Sequence, residues 1–591
     1  MKFKTLCRTY SKVEKISGKI EMVEILAETL CNANADEIGK IVLLTLGKIY
    51  PNYVGIELML AESMTIKALS ITTGKSTSNI KQILEQKGDL GSITYQLLAK
   101  KTQTTLSSFT GETNYEPEIL EVWSFFDKLA KLTGEGSSNK KINLLAGMLS
   151  RVSAIEAKYI VRIVSSKLRL GIATQLLLEA LALAKTGNRE NKDILENAYN
   201  RCSDIEYVAE TLYKGGIDKV KEIDIRVFSP VKVMLAQRLS SSEEILEKFG
   251  GKCAVEYKYD GIRAQIHVKD NVVKIFSRNN ENITHQFPDV QKEIIKAAKK
   301  QNFIVEGEIV AYDEKNKRIL PFQSISKRKR KHDIEEMAQE IPVRVFLFDV
   351  LFANASSALN KLYLERREIL KELINETETI HFSHQAIVSS VDELETFFNS
   401  ALEDNCEGIM VKSINHDSVY QAGARGWIWV KYKADYVDKL SDSFDLVIVG
   451  ADYGKGKRTG KYGTFLLACF DQEEGNFKTF TRVATGFSDK DLEFFYQELG
   501  KIALNKKPKD VISEIECAVW FEPKVVIEIT GAEITISQLH TCARGWLKGV
   551  NDGLALRFPR FTGRIVEDKN PEDATTVNEI VTIFLNQKGE S

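Results

Sequence analysis

The sequence predicts a multidomain α+β protein in three successive parts: all-helical over residues 1–225, mixed α/β over 226–436, and a small β-barrel over 437–591. Three observations carry this. A chain of 591 residues is too long for one core and, at roughly 150 residues per domain, calls for three or four. The apolar period changes from three-to-four residues to strand-like runs near residue 226, and after 437 short strands recur between glycine turns.

In the first part, apolar residues at three- and four-residue spacing predict helices over 20–30, 57–69, 118–132, 144–164 and 174–184. In the second, β-branched runs predict strands over 272–276, 303–310 and 343–348, with a helix over 359–373. In the third, strands over 446–451, 464–470, 478–483 and 525–529 suit a small barrel. No internal repeat or low-complexity segment is evident.

Hydrophobic residues at 43% and charged residues at 28% describe an ordinary water-soluble composition. There is no run of 18 or more apolar residues, and Met1-Lys2-Phe3-Lys4 lacks the apolar stretch of a signal peptide. The expectation is a cytoplasmic, nucleoid-associated protein, or a nuclear one in a eukaryote, with no membrane partner. Eight cysteines without a Cys-x-x-Cys pair argue against a zinc ribbon and a disulfide framework. A net charge of −1 is silent on nucleic acid, but cations cluster over 315–331 and 454–461. Each cluster reads either as a solvated loop or as a phosphate-binding surface.

Lys258-Tyr259-Asp260-Gly261-Ile262, followed by Arg263, places a lysine between a strand and a tight glycine turn. Burial and neighbouring cations such as Lys431 and Lys433 disfavour a protonated lysine and can make it a nucleophile toward phosphorus. Alone, Lys-x-Asp-Gly describes a solvated surface turn equally well, and Asp260 can serve only to shape it. Further motifs follow in order: Phe276-Ser277-Arg278-Asn279, Val305-Glu306-Gly307-Glu308-Ile309-Val310, and Phe346-Leu347-Phe348-Asp349-Val350. Then come Glu407-Gly408-Ile409-Met410-Val411-Lys412 and Trp429-Val430-Lys431-Tyr432-Lys433.

Six collinear motifs at these spacings resemble the covalent nucleotidyltransferases, and among them the ATP-dependent DNA ligases of archaea and eukaryotes. The resemblance implies a DNA-binding helical domain, a central adenylation domain and an OB-fold. It also implies nick sealing in DNA replication, repair and recombination through a lysyl-AMP and a DNA-adenylate. Lys258 would attack the α-phosphate of ATP. Glu256 is similar to the residue that meets the adenine amino group, and Phe348 to the one that stacks on the base. Arg263 and Arg278 would neutralise phosphate oxygens. Glu308 and Glu407 would sit near ribose and Mg²⁺, or Mn²⁺ in its place. Lys431 and Lys433, alternating on one strand face, would reach the α-phosphate, and Arg425 is a further nucleotide candidate. Phe346 reads as a core residue or stays open. Glu306 stands where many relatives carry Asp, which preserves the charge.

Gly450 to Gly460 and Gly463-Thr464-Phe465-Leu466-Leu467 resemble the ligase OB-fold, and Leu556-Arg557-Phe558-Pro559-Arg560-Phe561 the last family motif, where Arg557 and Arg560 would orient pyrophosphate. Ser166-Lys167-Leu168-Arg169-Leu170-Gly171-Ile172 and Phe228-Ser229-Pro230-Val231-Lys232 resemble the DNA-binding domain and its junction. Lys167, Arg169 and the amides around Gly171 would meet phosphates of nicked double-stranded DNA. Gln103 to Thr110 resembles a peptide that docks on a sliding clamp (PCNA), although Thr110 stands where a second aromatic is usual. The chain is expected to be a monomer. An RNA ligase, a GTP-using capping enzyme and a catalytically silent DNA-binding scaffold remain the alternatives at this stage.

Overall fold

Helix follows helix from Phe3 to Lys221, because the apolar positions of this stretch repeat at helical spacing and have only one another to pack against. This is seen in a computed structural model, which describes the chain except for residues 17, 59, 102–114, 240, 330–333, 434–442, 455–457, 505, 547–551, 568 and 588–591. Two compact units result, Met1–Lys433 and Ala434–Ser591. The expected boundary at 436/437 falls on residues outside the described set.

Helices Lys19–Cys31, Ile119–Lys131 and Thr174–Thr186 agree with the sequence expectation to within a few residues. Two others do not. The helix expected from residue 57 begins only at Glu62, because Leu60 donates its backbone N–H to the Val164 carbonyl at 2.8 Å and is held extended. The single helix expected over 144–164 is two, Ser137–Leu149 and Ala154–Val164. Ser153 starts the second, its backbone N–H reaching back to the Glu156 carboxylate at 2.9 Å in a capping box. Phe3–Val13, Ile38–Thr45, Thr77–Lys87, Leu90–Lys101, Lys192–Cys202 and Ile205–Lys221 also contribute to an apolar core running from Phe3 to Ile223.

Downstream of residue 226 the strands are β1 (Leu235–Arg238), β2 (Cys253–Lys258), β3 (Ile262–Lys269), β4 (Val272–Ser277) and β5 (Phe303–Asp313). They continue with β6 (Val343–Ala353), β7 (Gln385–Val388), β8 (Gly408–Lys412) and β9 (Arg425–Lys433). One sheet has the order β1-β9-β8-β2-β7, and a second has β4-β3-β5-β6 with the short Ser356–Ser357 strand beyond. The chain leaves the first sheet at Lys258 and enters the second at Ile262. Gly261 makes the crossing possible: a Cβ there would strike the Ile309 carbonyl and the Val310 side chain. The helix expected from residue 359 starts at Tyr363 and runs to Leu373.

The 315–331 cations do not form one exposed patch. Arg328 is buried, donating to both Asp289 oxygens at 2.9 and 2.8 Å and to the Ile341 carbonyl, so packing consumes its charge. Arg330 and Lys331 lie outside the described residues.

In the second unit, Phe444–Tyr453, Tyr462–Asp471 and Asn476–Val483 pair antiparallel in sequence order, and Val526–Thr530 joins Phe444–Tyr453 to Arg560–Ile565. Strand alternation divides the apolar residues. Leu446, Ile448, Phe465, Leu467 and Phe480 enter one core, whereas Val447, Val449, Leu466 and Ala468 enter another on the opposite face. Among the described residues no helix is long and apolar enough to cross a membrane, and the eight cysteines are free thiols.

Candidate active site

Between the two sheets of the first unit lies a cavity of about 550 Å³. Its wall follows from the register: β2 contributes Glu256 and Lys258, the crossing gives Asp260, β3 gives Arg263 and β5 gives Glu308. β6 adds Phe348, and β8 and β9, antiparallel neighbours, add Met410, Lys412, Lys431 and Lys433. Arg278 reaches it from the turn after β4, and Glu407 from the residue before β8. Of the residues expected at a nucleotide, only Arg425 is not placed here. It opens β9, and its side chain is outside the described set.

Lys258 and Lys433 converge on one oxygen of Glu407. Lys433 Nζ is 2.6 Å from Oε2, and Lys258 Nζ donates to the same atom. Burial pushes the Glu407 carboxyl up, but the two ammonium groups outweigh it and hold the group at about 2. Glu308 goes the other way. Burial raises it to about 7 against the pull of Lys258 and Arg263, with Glu407 and Asp260 adding repulsion. A divalent cation beside these two carboxylates would offset that repulsion, so the donor set fits Mg²⁺ or Mn²⁺, completed by phosphate oxygens. No group of three His, Cys, Asp or Glu side chains placed to hold a metal without such oxygens occurs among the described residues.

Arg263 does not extend freely into the cavity. Its Nη2 donates to Glu306 at 2.8 Å and its Nη1 to the Met234 carbonyl at 2.9 Å, and Tyr420 donates to the same Glu306 oxygen at 2.8 Å. The longer acid at position 306 is thus a buried counterion for Arg263. Glu256 is likewise engaged: Tyr363 donates to it, Lys412 Nζ lies 2.6 Å from Oε2, and Arg367 Nη1 lies 3.6 Å from Oε1. Lys412 sits among Phe348, Trp429 and Tyr363, 4.9, 4.4 and 4.7 Å from their ring centroids. Sequence reading assigned no role to Lys412, Tyr363, Arg367 or Trp429. Two of them carried a signal: Lys412 ends the Glu407–Lys412 motif, and alternation puts Trp429 on the strand face of Lys431 and Lys433. Phe348 is half-buried with its ring at the cavity. Phe346 is outside the core and stacks on Tyr259 at 4.0 Å.

Three family models match in series. "DNA ligase N terminus" covers residues 2–182, "ATP dependent DNA ligase domain" 233–433 and "ATP dependent DNA ligase C terminal region" 458–569. A "Probable DNA ligase" of Aquifex aeolicus is 43% identical over 592 residues, covering 100% of this chain and 99% of that protein. The chain belongs to the ATP-dependent DNA ligase family. "DNA ligase 2" of Thermofilum pendens is 42% identical, and a "DNA ligase" of Saccharolobus solfataricus 41%, each covering 99% of this chain and 98% of its own. The solved structure "Pmar-Lig_PreS3" shares the fold of this ligase at 17% identity and TM-score 0.54, covering 95% of this chain and 99% of that one.

Outside the cavity, the ligase places its remaining expected residues as follows. Lys167 Nζ is 3.4 Å from Glu62, and both line a second cavity of about 390 Å³ with Arg169. Arg169 and Gly171 have left-handed backbone, at φ 59° and 70°, so the segment is a tight turn after the Ala154–Val164 helix. Gly171 does not line that cavity. Arg557 pairs with Glu533 at 2.5 Å across an antiparallel hairpin, and Arg560 opens the Arg560–Ile565 strand. The clamp-like segment 103–110 lies outside the described residues.

Proposed function

We propose that the chain seals nicks by three displacements at phosphorus, with Lys258 as nucleophile. Lys258 Nζ first gives its ammonium proton to solvent, then attacks the α-phosphorus of ATP; an N–P bond forms, the bond to pyrophosphate breaks, and a second proton passes from the nitrogen to solvent. The 5′-phosphate of a nick then attacks the AMP phosphorus and the lysine leaves, regaining a proton. Last, the 3′-hydroxyl attacks the 5′-phosphorus, closing the phosphodiester and releasing AMP.

The carrying observation is the convergence of Lys258 and Lys433 on Glu407 within the cavity that Glu308 and Phe348 also line. Glu407, held at about 2, is a poor proton acceptor, so its part is to place the two cations. Lys431 and Lys433 stabilise charge developing on the α-phosphate, and Phe348 stacks on adenine. Glu308 and Glu407 would hold the divalent ion, which neutralises polyphosphate charge when bound. Lys167, Arg169 and the Gly171 turn are assigned to DNA phosphates, and Arg557 and Arg560 to pyrophosphate. Working domains are 1–225, 226–436 and 437–591, in a monomeric cytoplasmic enzyme. The 103–110 segment is assigned to a sliding clamp, to be tested by pull-down of the chain with and without Gln103→Ala.

Intact mass after incubation with ATP and Mg²⁺ tests the chemistry. An AMP-sized gain, reversed by pyrophosphate and absent in Lys258→Ala, is expected. No gain in folded protein cleared of AMP overturns the reading in favour of a binding scaffold, and labelling by GTP in place of ATP points to the capping chemistry.

A further inference from the structure

The turn that carries Arg278 has two faces. β4 is followed by a reversal in which Asn280 N–H donates to the Ser277 carbonyl at 2.8 Å and Ser277 N–H to the Glu281 carbonyl at 2.9 Å, with Phe276 bridging to Asn282 beyond. This is a three-residue hairpin loop, 278–280, whose third residue must be left-handed. Asn280 supplies that conformation, at φ 60°, as asparagine does more readily than most residues. The loop's side chains then part company. Arg278 is exposed and lines the nucleotide cavity, whereas Asn280 is only 4% exposed and points away from it.

What receives Asn280 is the helical region. Its Nδ2 donates to Ser203 Oγ at 2.7 Å, and Ser203 is itself a left-handed residue at the C-terminal end of the Lys192–Cys202 helix. Two further ties reach the same hairpin. Asn52 Nδ2 donates to the Asn279 carbonyl at 3.4 Å. Tyr53, fixed by its hydroxyl to Asp204 at 2.6 Å, sets its ring edge-on to the buried Phe276 at 6.4 Å. The hairpin is therefore held from the helical side at its base, its tip and its left-handed corner.

We propose that Asn280 is a positioning residue for Arg278, through which the helical region sets where that guanidinium stands over the nucleotide. The inference rests on the proposed adenylylation, in which Arg278 faces phosphate. A 2.7 Å bond to a buried, left-handed residue fixes the corner of a loop whose next-but-one neighbour enters the cavity, and small displacements of a phosphate-facing cation lower rates steeply.

Asn280→Gly tests this, because glycine keeps the left-handed turn and removes only the amide. Adenylylation rate and KM for ATP are measured for Asn280→Gly, Arg278→Ala and the double variant, with thermal melting alongside. The expected result is a rate loss of roughly five- to tenfold, the scale of one hydrogen bond, in Asn280→Gly alone and no further loss on the Arg278→Ala background. Equal losses on both backgrounds, or none on either, overturn the proposal. Ser203→Ala runs through the same cycle and decides the matter if Asn280→Gly does not fold. Failure of the adduct in the unaltered chain would instead sink the adenylylation reading.

Discussion

Lys412 Nζ lies 2.6 Å from Glu256 Oε2, with each side chain about 1–2% exposed. Two opposite charges have been taken out of water together beside the cavity, where Glu256 also meets Tyr363 and Arg367. Lys412→Met should lower stability by about 3–5 kcal/mol, the scale for stranding a buried partner, in urea unfolding. Adding Glu256→Gln should recover part of that loss, and a strictly additive double variant would show that the pair is not coupled.

The Phe348 side chain lines the cavity, and the proposed function gives it the adenine to stack on. Phe348→Ala should raise KM for ATP in adenylylation by a factor corresponding to about 1–3 kcal/mol of stacking, while Phe348→Trp keeps most of the affinity. An unchanged KM in Phe348→Ala would remove the ring from the binding site.

In the helical region, burial pushes Asp89 up, but hydrogen bonds from Arg162 and Ser92 prevail and hold it at about 2. A carboxyl lower in the folded than in the unfolded chain stabilises above its unfolded value near 4, and that stability is lost as pH falls toward 2. Asp89→Asn should therefore cost about 2 kcal/mol at neutral pH and flatten the stability profile between roughly pH 4 and 2. Parallel melting curves for both proteins across that window would contradict the assignment.

Arg328, although within the cationic 315–331 run, serves the fold. Arg328→Met should destabilise by about 3 kcal/mol yet leave the salt dependence of DNA binding unaltered, because a counterion-releasing contact requires an accessible cation. A shallower salt slope in Arg328→Met, measured by titration of nicked duplex, would return the residue to the DNA surface.

How much the sequence disclosed depended on distance along the chain. Lys258, Glu308, Phe348, Glu407 and Lys433 were legible because each stands inside a short contiguous motif and the six motifs in order resemble those of the ligase family, while alternation alone gave the shared face of Lys431 and Lys433. Tyr363 and Arg367 were not, since they reach Glu256 from a helix more than a hundred residues away and look like ordinary surface-helix residues. The break between Leu149 and Ala154 was readable in Ser153-x-x-Glu156, but the continuous apolar period on either side obscured it. Arg328 shows the opposite error, since a run of like charges says nothing about which member finds a buried carboxylate. Asn280 carried a turn signal in its residue type, whereas its partner Ser203 could come only from the tertiary packing.

The shared Glu407 oxygen changes what an arriving triphosphate meets. Two lysines clamped on a built-in anion are already neutralised in part, so entry of the nucleotide is a trade of one counterion for another, with few dissolved ions displaced. Affinity at such a site should respond weakly to added salt, in contrast to contacts that exposed cations make with a phosphate backbone. One enzyme would then hold its nucleotide through changes of ionic strength that loosen its grip on the duplex.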